Sequence, residues 1–178
     1  MPDVPNLTPS LRRGAWLSPD GVSRYALTRE WGDVPAHTSA DLRHEARGVC
    51  WVMLNPSTAD AEVDDPTIRR CTAFTKAWGY DRLVVVNLWA LRATDPKRLV
   101  GHPAPSGPEN SSAWALALDS AEVIIAAWGA SFPPPLKTQV RERERALQGR
   151  GAVCLGRTAA GHPRHPLYVR GDTERCAL

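Results

Sequence analysis

The sequence predicts an α/β domain: a three-layer α/β/α sandwich on a central parallel four-stranded sheet, preceded by an N-terminal β-hairpin. Four short runs are apolar throughout, as strands buried on both faces read. Between them lie stretches with helical apolar spacing, the alternation that marks a parallel sheet. A chain of 178 residues is also one domain's worth, enough for a single core.

Residues 1–10 are proline-rich and are expected to be flexible, leaving 11–178 as a single α/β domain. Within 14–31, two strand-like runs flank Ser18-Pro19-Asp20-Gly21, a turn sequence that predicts the hairpin. Residues 33–47 are polar, contain Pro35 and read as a loop. GVCWVML at 48–54 is the first buried strand. Residues 65–78 form a helix, with Asp65 as N-cap and Pro66 in the first helical position. Ile68, Cys71, Ala73, Phe74, Ala77 and Trp78 make its buried face. RLVVVNL at 82–88 is the second strand, 108–121 a helix and EVIIAA at 122–127 the third strand. Residues 136–148 form a charged surface helix whose Arg141–Arg145 run is a solvated face. AVCL at 152–155 is the fourth strand.

Composition narrows the class. Hydrophobic residues at 43% and charged residues at 23% are ordinary for a globular chain. No apolar run approaches the ~18 residues of a membrane helix, and the first residues carry no apolar leader. A cytoplasmic protein with no membrane partner is expected. The net charge of +3 is modest, but 19 of the 22 basic residues are arginine, whose planar fork suits phosphate. A GC-rich genome produces the same bias. Cys50, Cys71, Cys154 and Cys176 are scattered without a CxxC pair, so neither a zinc site nor a disulfide framework is expected. Cys50 and Cys154 read as small buried hydrophobes.

In open α/β sheets ligands bind beyond the carboxyl ends of the strands. The residues there are unusual. Asn55-Pro56-Ser57-Thr58 follows the first strand, and Asn87 lies near the end of the second. Trp128-Gly129-Ala130-Ser131 follows the third, and a loop with His162, His165, Tyr168 and Arg170 follows the fourth. Asn55-Pro56-Ser57 is either a turn or part of a site. Asn87, inside an apolar run, must bond either backbone or ligand, because an unpaired buried amide costs ~1–3 kcal/mol. Asp65 has a structural reason as a cap, whereas Asp64 has none. His165, between Pro163 and Pro166, is either a surface residue or a catalytic one. His162 and His165 lack a third partner for a metal. Asn110-Ser111-Ser112 matches a glycosylation acceptor, which means nothing without secretion.

The motifs NPSTADAEVDDPTIRRC, NLWALRATDP, GPEN, AWG and HPRHPLYV, with YALTREW upstream, resemble a family of small bacterial and phage proteins catalogued as a domain of unknown function. More distantly, the order of elements is similar to the uracil-DNA glycosylase superfamily. MLNPS stands where its mismatch-specific branch has an Asn-Pro motif, VVVNL where the base-reading Asn lies, and HPLYVRG where the His-Pro loop lies. Met53 stands in place of a glycine, and Leu167 in place of a serine after Pro166. The cysteines do not fit the iron–sulfur branch, so no cofactor is implied.

This resemblance implies a monomeric glycosylase that removes uracil, or a related deaminated base, from DNA in base-excision repair. Asn55, His165 and Asp64 are the catalytic candidates: Asn55 to orient water, His165 to donate to the departing base, and Asp64 as an auxiliary base. Asn87 would read the base, with Pro56 and Ser57 beside it and Leu167 or Tyr168 wedged into the duplex. Arg69, Arg70 and Arg170 are candidate phosphate contacts. Two other readings are a hydrolase acting on free nucleosides or nucleotides, and a DNA- or nucleotide-binding module without catalysis, which Met53 favours.

Overall fold

The computed structural model describes residues 12–31 and 47–178. The expectations for residues 1–10, and for the loop except Arg47, lie outside the described residues. Among those described, seven strands and three α-helices alternate. They are β1 (Arg12–Leu17), β2 (Arg24–Glu30), β3 (Gly48–Met53), α1 (Pro66–Ala77), β4 (Arg82–Asn87), α2 (Asn110–Asp119), β5 (Val123–Ala126), α3 (Lys137–Gln148), β6 (Val153–Cys154) and β7 (Cys176–Ala177).

The strands form one sheet in the order β1-β2-β4-β3-β5-β6-β7. β4, β3, β5 and β6 run parallel, and they are the four apolar runs of the sequence. The sheet as a whole is nevertheless mixed and seven-stranded, which corrects the expectation of a four-stranded parallel one. The hairpin is part of it: β2 pairs antiparallel with β4 from Leu27↔Val85 to Glu30↔Arg82. β7 pairs antiparallel with β6 at the opposite edge. Both additions cover backbone that would otherwise be bare on a buried edge.

Strand alternation divides the core between two faces. Val49, Trp51, Leu83, Val85 and Ile125 pack with Ile68, Cys71 and Phe74 of α1. Cys50, Val52, Val84, Val86 and Ala126 face the other way, onto Ala117 and Leu118 of α2 and Val140 and Leu147 of α3. Burying one such large apolar side chain contributes roughly 2 kcal/mol. Trp51 is the largest, stacked on Trp78 at 5.7 Å with its indole N–H donating to Thr75 Oγ1 at 3.0 Å.

Helix α1 begins where the sequence predicts, with Asp65 accepting from the Ile68 N–H at 2.8 Å. Ala73 and Ala77 of its expected buried face are nevertheless exposed, and Thr75 is buried instead. The expectation for α3 needs one correction. Arg143 is not on a solvated face but lies over the Trp114 ring at 5.2 Å. Cys50, Cys71 and Cys154 are buried free thiols, whereas Cys176 is exposed, with its sulfur 3.6 Å from that of Cys154. No helix among the described residues is long and apolar enough to cross a membrane.

Candidate functional site

A cavity of about 620 Å³ opens at the carboxyl ends of the parallel strands. Met53, Leu54 and Asn55 enter it from β3, Asn87 from β4, Trp128 and Gly129 from the end of β5, and His165 and Tyr168 from the loop after β6. The first turn of α1 supplies Asp65, Thr67 and Ile68. Residues far apart in the chain meet here because parallel strands place all their carboxyl ends on one rim.

Asn87 is the most constrained of them. Its residue is 1% exposed, yet neither side-chain Nδ2 nor Oδ1 has a hydrogen-bond partner. Its main chain, by contrast, is firmly held. The carbonyl accepts from Trp114 Nε1 at 2.7 Å and from Asn110 Nδ2 at 3.3 Å. Both donors sit on α2, so that helix fixes the backbone while the side chain lines the cavity.

Asn55 shows the complementary arrangement. Its Nδ2 donates to the Ala93 carbonyl at 2.7 Å and to the Pro56 carbonyl at 3.1 Å. Those bonds fix the amide's orientation and leave Oδ1 as the group available to a ligand or a water. Ala93 N–H in turn donates to the Pro56 carbonyl at 2.8 Å, so the turn after β3 is tied to the segment after β4.

His165 caps a short 3₁₀ turn, with Nδ1 accepting from the Leu167 N–H at 3.3 Å. An accepting Nδ1 carries no proton, so the neutral ring carries it on Nε2. Burial lowers the pKa of His165 from the ordinary 6.5, with the Asp65 charge partly opposing. Its Cβ packs against Gly129, where an added Cβ would lie 3.2 Å from the His165 Cβ. Gly129 also has φ of +73°, so this position suits glycine on both counts.

The structure sorts the other candidates. Ser57 and Tyr168 line the cavity with Asn55, Asn87 and His165, while Pro56 and Leu167 do not. Tyr168 and Leu167 stand at the surface, 78% and 42% exposed. Asp65 keeps the capping role expected of it, whereas Asp64, expected at the site, is bound to Arg29 instead. Asp64 is outside the lining and holds the buried Arg29, accepting from Nε at 2.8 Å and Nη2 at 2.6 Å. Arg13 approaches it at 3.6 Å. Asp65 caps α1 and is also the carboxylate on the cavity wall.

The arginine candidates also lie outside the lining. Arg70 donates to the Val169 carbonyl at 2.6 Å and to the Pro166 carbonyl at 3.3 Å, so it ties α1 to the histidine loop. Arg69 donates to the Asp64 carbonyl at 2.6 Å, and Arg170 pairs with Asp172 at 3.0 Å. Sequence reasoning missed Arg24, which is 2% exposed and lines the cavity, and Asn110, set aside as a glycosylation match. The adjacent GPEN and AWAL residues were the available signal for Asn110 and Trp114, but only the long-range contact with β4 gives them a role.

These motifs match a family model. The model described as "Protein of unknown function (DUF1643)" covers residues 24–167. The chain belongs to this family. In this DUF1643 protein the matched span begins at Arg24 and ends at Leu167, so it takes in every wall of the cavity save Tyr168. No curated protein and no solved structure matches the chain. Among the described residues no group of three or more metal-ligating side chains could hold an ion.

Proposed function

We propose that the protein is a uracil-DNA glycosylase-like hydrolase that removes uracil or a related deaminated base from DNA. The observation that carries the reading is Asn87, a buried amide with donor and acceptor both unpaired on a cavity wall. Leaving two such groups buried without partners costs ~1–3 kcal/mol each. A flipped uracil supplies O4 for the amide N–H and N3–H for the amide oxygen, which satisfies both.

The remaining residues support the same chemistry. In hydrolysis the water oxygen bonds to the sugar C1′ as the C1′–N1 bond breaks, and the base leaves with the electron pair. Asn55 Oδ1 accepts from the water and orients it, while the water's surplus proton goes to solvent. Such positioning suffices because a dissociative transition state needs little base strength. His165 donates Nε2–H to the base oxygen where charge collects. The Asp65 carboxylate favours positive character on the sugar. Tyr168 and Leu167, exposed beside the cavity, are the residues that would enter the stack when the base leaves it.

The test is cleavage of a labelled oligonucleotide carrying one uracil, single-stranded and in a G·U pair. Wild type should leave alkali-labile abasic sites, and Asn55→Ala and His165→Ala should each lower the rate by ~10²-fold or more. Binding should weaken steeply with salt. Absence of abasic sites with either substrate from pH 5 to 9 would sink this reading. Hydrolysis of free nucleotides is the second reading, favoured by a cavity volume of about 620 Å³, well within the range that holds whole small ligands.

A further inference from the structure

Arg24 introduces a buried cation into a site whose other charged lining residues are the Asp65 carboxylate and the exposed Arg164. Three arginines among the described residues are fully buried: Arg24, Arg29 and Arg82. Arg29 is paired with Asp64 at 2.6 Å and Arg82 with Glu30 at 2.9 Å. Among the described residues, no carboxylate lies within ion-pair distance of Arg24. Its Nη1 donates to the Ala59 carbonyl at 2.6 Å, and Nε has no partner. Burial lowers its pKa to about 10, partly offset by the charge of Asp65, so the group remains cationic at neutral pH.

The backbone turns this residue into the cavity. β1 pairs with β2 as Trp16↔Ala26 and then Leu17↔Arg24, so Tyr25 is a bulged residue. Strict alternation would send Arg24 to the same face as Ala26, which packs in the α2–α3 cluster. The bulge sends it instead to the α1 side, where it meets Ala59. Bulges that re-aim a side chain recur beside functional sites.

We propose that Arg24 binds a phosphate oxygen of a nucleotide whose base is held by Asn87. This rests on the base-binding reading of the same cavity. A guanidinium with unpaired N–H groups and no carboxylate partner is suited to an oxyanion, which forms the charge-assisted bonds that the protein leaves open. Thr67 and Ile68 place the amino end of the twelve-residue helix α1 on the same cavity, adding a field that favours an anion. The phosphate can come from a free nucleoside monophosphate or from the strand carrying a flipped nucleotide.

The experiment is calorimetric titration of the full chain with deoxyuridine, deoxyuridine 5′-monophosphate, inorganic phosphate and a trinucleotide with central deoxyuridine and no terminal phosphate. Wild type should bind one or both nucleotide ligands at least ~tenfold more tightly than deoxyuridine, with inorganic phosphate competing. Preference for the monophosphate identifies a free nucleotide; preference for the trinucleotide identifies a strand. Arg24→Gln should abolish the phosphate advantage, and Arg24→Lys, which keeps a charge without the fork, should reduce it. Asn87→Ala should weaken deoxyuridine and both nucleotides alike. An advantage absent from wild type, or intact in both Arg24 variants, overturns the proposal. Should Arg24→Gln fail to fold, the wild-type ratio and Arg24→Lys decide the matter. Unchanged deoxyuridine binding in Asn87→Ala with the phosphate advantage intact would overturn only the base reading.

Discussion

Trp114 donates its indole N–H to the carbonyl oxygen of Asn87 at 2.7 Å. The bond joins the middle of α2 to the last residue of β4, and Asn110 reinforces it from one turn earlier. The main chain of Asn87 is thereby held by side chains, and its own side chain is released from structural duty. A tryptophan on a helix otherwise reads as core; here it positions a binding residue.

Trp114→Phe keeps most of the packing and removes the donor. Stability should fall by about 1 kcal/mol, the net value of such a hydrogen bond. Affinity for deoxyuridine should fall by several-fold because Asn87 is less firmly placed. Denaturant melts and titration calorimetry read the two effects separately.

Asn87→Ala removes two buried polar atoms that have no partner in the ligand-free protein. Relief of that desolvation offsets the lost packing, so stability should change by less than about 1 kcal/mol. Base excision should nevertheless be lost. A destabilisation above about 3 kcal/mol, measured by thermal melting, would mark Asn87 as a structural amide instead.

Asp64 and Asp65 should separate by substitution. Asp64→Asn leaves the buried Arg29 charge with neutral acceptors alone, the new amide oxygen and the Thr28 and Asp60 carbonyls at 2.7 Å. Stability should drop by about 2–3 kcal/mol, with the rate per folded molecule unchanged. Asp65→Asn retains an oxygen to cap α1, so its stability cost should be smaller. Its effect should appear in the rate, measured in single-turnover cleavage at equal folded fractions.

The pH response follows from the histidines. Burial lowers the folded-state pKa of both His162 and His165 below the ordinary 6.5. The unfolded chain therefore binds more protons between those values and 6.5. Their contribution to stability is complete above about pH 6.5 and is lost as pH falls through the folded pKa values. Protonation of His165 also ends the Nδ1 acceptance from Leu167. Melting temperature should fall below about pH 6.5, and His165→Gln should flatten the stability slope in part. The excision rate should fall only at the lower pH where folded His165 takes up a proton. A flat melting profile from pH 5 to 7 would contradict this.

Local pattern was sufficient for much of the molecule. The four parallel strands follow from runs apolar throughout, and α1 from Asp65-Pro66 and the spacing of Ile68, Cys71 and Phe74, because periodicity and capping act over a few residues. The gathering of Asn55, Asn87 and His165 on one rim follows from parallel strand order alone. What needed tertiary structure depended on long-range pairing. Whether the hairpin joins the sheet depends on how β2 meets β4. Arg24 reaches the cavity only because a bulge at Tyr25 reverses its face. Asp64 and Asp65 are chemically alike neighbours, and only the entry angle of α1 decides which meets Arg29 and which lines the cavity. Arg70 looks free in the sequence, but the folded chain brings it to the Val169 carbonyl. Residue type and spacing determine the elements and the rim; the contacts across the sheet decide which polar groups are paired and which remain available to a ligand.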